Sequence, residues 1–206
     1  MKGFVINLDR RQDRYQEFME NFKDTGIEIT RVPAVDSRDI EFETPKGLVL
    51  KNRVCDWNFN HLPINKIKNV VACCLSHQKV WKMISKMTSE KAVYVFEDDC
   101  KIVLDNLKNI TIPNDFCIIW LNKNVKNTLI NKTFSVIPHS SSDYTTESYI
   151  VTPKFARGML NWMTNYLGSV DAHMDQYIKK TELKLLVAYE ANPPIFCQSG
   201  SKSDIQ

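Results

Sequence analysis

Three adjacent acidic residues, Glu97, Asp98 and Asp99, directly follow a short apolar, β-rich segment at residues 92–96. Neighbouring carboxylates repel one another and are costly to bury unless a cation lies among them. In an open parallel sheet, ligands bind at the carboxyl ends of the strands. If the strand geometry continues, Glu97 and Asp99 point to one side of the sheet and Asp98 to the other. Such all-oxygen ligands favour Mg²⁺ or Mn²⁺, and a solvated acidic loop or helix start is the alternative interpretation.

A second candidate segment, residues 7–14, places an asparagine and several arginines at the end of the first apolar strand. Arg11 and Arg14 carry the charge and the hydrogen-bond donors that bind phosphate groups. The alternative is a helix start with local ion pairs, such as Arg10 with Asp13. The sequence contains neither a glycine-rich dinucleotide motif nor a P-loop motif, so those two modes of phosphate binding are not supported.

Two further segments contain side chains that can contact a ligand or move a proton. His77 lies in an apolar segment with helical spacing, and a lone histidine in that position more often has a structural role. Asp171 stands at the start of a predicted helix, where an acidic residue usually acts as the cap. Asp175 follows one turn later on the same face, and either carboxylate can serve as a general base if it faces a cleft.

Short apolar strands alternate with amphipathic segments along the chain. Residues 4–6 and 27–32 are predicted strands, residues 11–24 between them form a predicted helix, and Gly26 closes it. This β-α-β unit indicates a parallel strand pair. Further strands are predicted at 92–96, 116–121, 145–151 and 183–187, helices at 70–87, 153–166 and 171–180, loops at 41–65, 122–132 and 140–142, and a polar tail at 195–206. The sequence therefore predicts one α/β domain over residues 1–206 with a mainly parallel central sheet.

Composition excludes several classes of protein. With 206 residues, 43% of them apolar, the chain can bury a real core and is neither disordered nor repetitive. Lysine plus arginine exceeds the acids by only 27 to 24 and the charges are evenly spread, which disfavours a nucleic-acid partner. The longest apolar runs, residues 70–75 and 116–121, are too short to span a membrane.

The cysteines and the N-terminal residues indicate the compartment. The chain has six cysteines and no C-x-x-C pair, and its first residues do not form a signal peptide. We therefore expect free thiols in a reducing, cytoplasmic setting. Basic surface residues leave peripheral contact with a membrane open, although no amphipathic anchor stands out.

Six segments, taken in their order along the chain, resemble glycosyltransferase family 25. The family includes bacterial lipooligosaccharide sugar transferases, collagen galactosyltransferases and relatives in large DNA viruses. The chain departs from the family pattern at Ser37 and Ala72, where glycine is usual. Each segment is weak alone, but six in order at matching spacing are specific. The segments are residues 5–14 (VINLDRRQDR), 31–36 (RVPAVD), 72–81 (ACCLSHQKVW), 95–99 (VFEDD), 149–171 and 198–205.

The resemblance implies a GT-A-like fold, an α/β sandwich that binds a nucleotide sugar together with a divalent cation, usually Mn²⁺. The implied activity is transfer of galactose or glucose from a UDP-sugar to a glycan, glycolipid or glycoprotein acceptor. Asp99 would be the main metal ligand and Glu97 the second, while Asp98 would contact the ribose or the sugar. The cation would stabilise the negative charge that develops on the leaving diphosphate.

The resemblance also implies roles elsewhere in the chain. Inversion at the anomeric carbon needs a base for the acceptor hydroxyl, and Asp171 or Asp175 is the candidate. The third metal ligand stays open between Asp175, Gln198, Ser203 and water, since no histidine follows His173. Nucleotide-sugar-binding residues are expected at Asn7, Arg11, Arg14, Ala34, Val35, Asp36, Ser76, His77, Lys79, Asp98 and Ser203.

Two other functions are compatible with these residues. A metal-dependent nucleotidyltransferase also uses carboxylates at a strand end, but the lack of a phosphate-binding glycine loop disfavours it. A module that binds a nucleotide sugar or a glycan without turning it over is the second alternative, and the presence of all three acids at residues 97–99 argues against it. The sequence leaves the acceptor, the linkage and the oligomeric state open.

Overall fold

The computed structural model describes residues 1–42, 49–50, 53–55, 62–89, 92–102, 112, 115–121, 135–138, 145–180, 187–192 and 196–198. Within these residues the helices are α1 (Gln12–Phe22), α2 (Ile64–Ser85), α3 (Pro153–Trp162) and α4 (Val170–Lys180), and a 3-10 helix spans Ser37–Asp39. The strands are β1 (Lys2–Asn7), β2 (Glu28–Pro33), β3 (Val49–Leu50), β4 (Arg53–Cys55), β5 (Val93–Glu97), β6 (Cys100–Ile102), β7 (Phe116–Trp120), β8 (Ser135–Pro138), β9 (Ser148–Val151), β10 (Tyr166–Leu167), β11 (Val187–Asn192) and β12 (Phe196–Gln198).

The central sheet contains seven strands in the order β2-β1-β5-β9-β7-β11-β8. β1 pairs in parallel with β2 and β5, and β7 pairs in parallel with β11. β9 is antiparallel to both β5 and β7, and β8 is antiparallel to β11 at the edge. Five of these seven strands therefore point the same way, which confirms the predicted α/β fold with a mainly parallel central sheet.

The first β-α-β unit forms as predicted. β1 and β2 pair in parallel along their whole length, and α1 connects them. The helix packs Phe18 and Phe22 onto one face of the sheet. Gly26 has a φ of 70°, a left-handed conformation that glycine adopts without steric cost, and the chain turns there into β2. This unit fixes where β1 ends and therefore where Asn7 and the arginines after it lie.

Both faces of the central sheet are buried. In β5, Val93 and Val95 belong to the core on the side of α2, α3 and α4, whereas Tyr94 and Phe96 belong to the core on the side of α1. The same alternation holds in β1, where Val5 faces α1 between two residues that face α2. Burial on both faces explains why these strands are continuous apolar segments in the sequence.

The structure corrects several predicted boundaries. α2 begins at Ile64 rather than residue 70, because Pro63 precedes the first turn, where its missing N–H costs no helical hydrogen bond. α3 ends at Trp162 rather than near residue 166, and the next residues form β10 beside β4. Of the strand predicted at 183–187, the structure describes only Val187, which is the first residue of β11. The sequence predicts neither β6 nor β12, which pair with each other, because three residues carry too little periodicity.

Some predictions fall on residues that the structure does not describe. These are the loops at 122–132 and 140–142, most of the loop at 41–65, residues 181–186 and the last part of the tail. None of the described helices has both the length and the apolar character that crossing a bilayer requires. Five cysteines whose side chains the structure describes are free thiols: Cys73, Cys74, Cys100, Cys117 and Cys197.

Candidate active site

A cleft opens at the edge of the central sheet where β1 and β5 end. Its walls are the end of β1, the segment after β2, one face of α2 and the acidic residues that follow β5. The space between these walls is about 610 Å³ with the open solvent at its mouth included. The parallel pair β1 and β5 therefore places an open cleft at its carboxyl edge, where ligands bind in open α/β sheets.

The acidic triplet forms the floor of this cleft. Glu97 is the last residue of β5, and Asp98 and Asp99 form the turn to β6. The side chains of Glu97 and Asp98 are 17% and 11% exposed, and Asp99 is 5% exposed. Glu97 contacts α2 and Asp98 contacts α1, which is the alternation expected at a strand end. Adjacent carboxylates are thus held close together and largely away from water.

Asp98 is held by a network that begins in β1. Its carboxylate accepts a hydrogen bond of 2.7 Å from Asn7 Nδ2 and one of 3.2 Å from Arg14 Nη1. Arg31 Nε donates to Asn7 Oδ1 at 2.7 Å, which fixes the orientation of the amide. Burial raises the pKa of the Asp98 carboxyl above its ordinary value, although Asn7 and Arg14 both act to lower it. Asn7 therefore acts on the cleft through Asp98 rather than by lining it.

Glu97 is held from the other side of the sheet. Its Oε1 accepts a hydrogen bond of 2.6 Å from Thr146 and lies 3.2 Å from His77 Nε2. Burial acts to raise the pKa of the Glu97 carboxyl, but His77, Thr146 and Arg14 together outweigh burial and lower the pKa. The opposite pKa shifts of Glu97 and Asp98 follow from these different partners.

His77 is fixed in place by its second ring nitrogen. Nδ1 lies 2.7 Å from the hydroxyl of Tyr149, and that hydroxyl also accepts a hydrogen bond of 3.1 Å from Trp81 Nε1. The Tyr149 oxygen accepts from Trp81 and can still either donate its own hydrogen to Nδ1 or accept from Nδ1–H, so both tautomers of His77 fit this network, and Nε2 faces Glu97 in either case. Burial raises the pKa of Tyr149, which keeps the phenol neutral. His77 is 1% exposed, so this network positions it rigidly in the wall of the cleft.

Ser76 connects α2 to the segment after β2. Its hydroxyl donates to the Ala72 carbonyl at 2.7 Å and accepts from the Val35 amide at 2.8 Å. Lys79, one turn later, donates to the carbonyl of Pro33 at 3.0 Å. These bonds hold the backbone around Val35 against the helix and form one side of the cleft.

Asp36 organises the rim of the cleft. It lies 3.0 Å from Arg10 Nε and 2.7 Å from Arg38 Nη2, and its side chain caps the 3-10 helix by accepting from the Arg38 amide. Hydrogen bonding from Arg38 and Arg10 holds the pKa of the Asp36 carboxyl well below its usual range, against the effect of burial. Two arginines are thus placed beside the mouth of the cleft.

The two candidate bases lie on α4. Asp171 accepts hydrogen bonds from the Ser169 hydroxyl and, at 2.8 Å, from the Ala172 amide. Its negative charge contributes to raising the pKa of Cys73, although burial is the main cause, and Cys73 lines the cleft. Asp175 lies 2.7 Å from Lys179 Nζ, and its side chain is 23% exposed. Neither carboxylate is among the residues that line the cleft.

The structure brings most of the predicted site residues together. Asn7 lies behind Asp98, Asp36 is at the rim, and Lys79 borders the segment after β2. Arg11 turns outward and pairs with Asp13 at 2.8 Å. Ser203 lies outside the described residues, and the backbone of Gln198 pairs opposite Cys100, directly after the acidic triplet. Of the predicted residues, those that line the cleft are Arg14, Ala34, Val35, Ser76, His77, Glu97, Asp98 and Asp99.

Sequence reasoning missed several residues of the cleft. Arg10, Ser37, Asn69 and Cys73 all line it. Asn69 and Cys73 precede His77 at intervals of one helical turn, so the spacing that identifies a helix face would have placed them beside it. Arg10 lies in a turn and Ser37 begins the short 3-10 helix, and at both places the sequence gives no comparable spacing.

The fold and the site define an α/β protein with a cleft at the carboxyl edge of its sheet, and three carboxylates line this cleft. The chain belongs to glycosyltransferase family 25: the family model, described as Glycosyltransferase family 25 (LPS biosynthesis protein), matches residues 1–174. This confirms the family inferred from the sequence motifs.

The alignments with individual relatives cover only part of each relative. Procollagen galactosyltransferase 2 of Mus musculus is 30% identical over 106 residues, which are 48% of this chain and 15% of that protein. The protein named "Putative glycosyltransferase R655" of Acanthamoeba polyphaga mimivirus is 27% identical over 176 residues, which are 81% of this chain and 50% of that protein. The chain thus spans half the length of the viral relative and 15% of the length of the mouse relative.

Among solved structures, a Drosophila β-1,4-galactosyltransferase 7 variant in complex with manganese, UDP-Gal and xylobiose aligns with a TM-score of 0.47. The alignment covers 96% of this chain and 69% of that chain at 10% identity.

Proposed function

We propose that this chain is a GT-A-like glycosyltransferase that transfers galactose or glucose from a UDP-sugar to a hydroxyl of a glycan, glycolipid or glycoprotein. The proposal includes Mn²⁺ or Mg²⁺ as cofactor and inversion at the anomeric carbon. The observation that carries it is the cluster of Glu97, Asp98 and Asp99 on the floor of the cleft at the carboxyl edge of the sheet, in a chain that belongs to a glycosyltransferase family.

The donor set on the floor of the cleft fits a hard divalent cation. Carboxylate oxygens are the ligands that Mg²⁺ and Mn²⁺ prefer. Burial raises the pKa of Asp98, so this environment disfavours concentrated negative charge, and a bound cation would relieve that cost. Asp99 would be the main ligand and Glu97 the second. When bound, the cation would neutralise the charge that develops on the leaving diphosphate.

The residues around the triplet would bind and orient the nucleotide sugar. Arg14 brings a guanidinium to the cleft while it holds Asp98 in place. Ser76 fixes the backbone at Val35, so that Ala34 and Val35 form a rigid apolar wall for the nucleoside. Positively charged side chains at the rim, including Arg10, would attract the anionic donor.

The acceptor hydroxyl would lose its proton to a carboxylate on α4. Asp171 is the better placed candidate, because its charge acts on Cys73 in the wall of the cleft. Two donors, the Ser169 hydroxyl and the Ala172 amide, hold its carboxylate in one orientation. Asp175 remains the second candidate, paired with Lys179 in this structure.

The first experiment measures thermal unfolding of the full chain with UDP, GDP or CMP, each with and without Mn²⁺. A ligand that binds only the folded state adds about 2.7 kcal/mol at a hundredfold excess over its dissociation constant. We expect UDP to raise the melting temperature in a Mn²⁺-dependent manner. Asp99→Asn should abolish the response, and Asp24→Asn, an exposed acid far from the cleft, should keep it.

The second step follows product formation from UDP-sugars. Free UDP is the expected product, whereas release of pyrophosphate would indicate a nucleotidyltransferase. Asp171→Asn should bind UDP and Mn²⁺ normally but lose transfer, because only the proton acceptor is removed. If Asp171→Asn and Asp175→Asn both keep near-normal transfer, the assignment of the base is wrong. If no nucleotide stabilises the protein with or without metal, the proposed function is wrong.

A further inference from the structure

A thiol, an imidazole and a carboxylate meet on one wall of the cleft. Cys73 and His77 lie one turn apart on α2, and Glu97 ends β5 opposite them. The Cys73 sulfur, a ring nitrogen of His77 and a carboxylate oxygen of Glu97 all lie within 4.8 Å of one another. We propose that these three side chains form a binding site for Zn²⁺. This site shares Glu97 with the oxygen-ligand site proposed around Asp99, but it adds a thiol and an imidazole and does not depend on the proposed function.

The mixture of sulfur, nitrogen and oxygen ligands determines the class of metal. Zn²⁺ is bound by cysteine, histidine and carboxylate side chains, whereas Mg²⁺ and Mn²⁺ favour oxygen ligands. Zinc–ligand bonds of about 2.0–2.3 Å place neighbouring ligands of a tetrahedron roughly 3.3–3.8 Å apart. The distance from His77 Nε2 to Glu97 Oε1 is 3.2 Å, close to that spacing. With the other pairs within 4.8 Å, roughly 1 Å or less of adjustment would complete the tripod.

The histidine is already oriented for this role. Histidines that bind metals usually engage their other ring nitrogen in a hydrogen bond, which fixes the tautomer and the ring orientation. Here the Tyr149 hydroxyl holds His77 Nδ1 at 2.7 Å, and Trp81 holds the Tyr149 oxygen. Nε2 is therefore the nitrogen presented to Glu97, and in the tautomer in which Nδ1–H is donated to the Tyr149 oxygen its lone pair is available to a metal ion.

The ligands are accessible to an ion from solvent. Cys73, His77 and Glu97 all line the open cleft. Three protein ligands leave a fourth position of a tetrahedral ion for water or for an oxygen of a bound molecule. Thr146 contacts both Cys73 and Glu97, so its hydroxyl would hold these two ligands in orientation. Because Glu97 also belongs to the acidic triplet, Zn²⁺ at this site would occupy the same end of the cleft as the proposed donor.

The test measures metal binding directly. The full chain is stripped of metal with a chelator and then titrated with Zn²⁺ by calorimetry and with Co²⁺ by absorption spectroscopy. We expect a thiolate-to-cobalt charge-transfer band that Zn²⁺ displaces. Cys73→Ser should abolish the band and weaken Zn²⁺ binding at least tenfold, since the loss of even an outer contact costs about 10–100-fold. Cys197→Ser, which removes an exposed thiol outside the cluster, should behave as the wild type.

The wild-type spectrum decides the proposal even if a variant fails to fold. Absence of the cobalt–thiolate band in the wild type overturns it, and so does its persistence in Cys73→Ser. Glu97→Gln removes a second proposed ligand while leaving the thiol in place, and it should also weaken Zn²⁺ binding. Asp99→Asn should keep the band. Failure of Mn²⁺-dependent UDP binding would leave every one of these results unchanged, so the two proposals fail separately.

Discussion

The acidic triplet shows how strand geometry gives neighbouring residues different chemical environments. Glu97 and Asp98 are adjacent in sequence, but they contact helices on opposite faces of the sheet. His77 and Thr146 favour the charged form of Glu97, whereas burial disfavours the charged form of Asp98. The fold thus separates the partners of two carboxylates that must stay close to one another. This separation is what allows a concentrated acidic site to exist before any cation binds.

Asn7 tests whether the position of Asp98 matters to ligand binding. Its amide donates to Asp98 at 2.7 Å and is itself fixed by Arg31. Asn7→Ala removes one hydrogen bond to a charged group, worth about 1.5–3 kcal/mol. We expect Mn²⁺-dependent affinity for UDP to fall by about tenfold or more, as measured by calorimetry. Asn161→Ala, at an exposed position on α3, is the matched control and should bind normally. An unchanged affinity in folded Asn7→Ala would show that Asp98 needs no such support.

At the scale of elements, the local hydrophobic pattern predicted individual helices and strands, but it did not predict the contacts between elements that are distant in sequence. The β-α-β unit, the strand that leads into Glu97 and the main part of α2 follow from hydrophobic spacing. By contrast, Thr146 and Tyr149 reach Glu97 and His77 because β9 inserts antiparallel between β5 and β7. No local signal in a four-residue apolar strand specifies its neighbours. The sequence predicts that Asn7 binds the nucleotide sugar, whereas in the fold its amide donates a hydrogen bond to Asp98.

The contact between α3 and α4 depends on a glycine. A Cβ at Gly158 would lie 2.7 Å from Cζ of Tyr177 and would overlap its hydroxyl. Gly158→Ala should therefore destabilise the protein by about 1–3 kcal/mol through overpacking, despite a gain of about 1 kcal/mol in helix propensity. In a Tyr177→Ala background the same change should stabilise, because the obstacle is gone. Urea unfolding of the double-mutant cycle measures both values. The same sign in both backgrounds would contradict this explanation.

At the scale of the whole molecule, one sheet joins two cores. Helices α2, α3 and α4 cover one face, and α1 covers the other. Strands β1, β5 and β9 contribute alternate residues to both cores, and β7 also contributes to both. Neither face can therefore lose its packing without disturbing strands that the other face shares. This arrangement also positions the site, because Arg14 comes from the α1 side and His77 from the α2 side of the same strand end. We therefore expect the described core to unfold as one cooperative unit, in agreement with the single domain predicted from the sequence.

Phe18 allows this cooperativity to be tested. It is 1% exposed on α1 and stacks on Phe22 with a centroid distance of 4.0 Å. Phe18→Ala should cost about 3–5 kcal/mol, and the denaturant midpoint should fall with an unchanged m-value. Tryptophan fluorescence, to which the buried Trp81 and Trp120 of the opposite core contribute, should shift together with far-UV circular dichroism. Glu20→Ala, exposed on the same helix, is the control and should leave both transitions near the wild type. If fluorescence kept its wild-type midpoint while circular dichroism shifted, the two faces would be separate folding units, and α1 would position Arg14 independently of the core that holds His77.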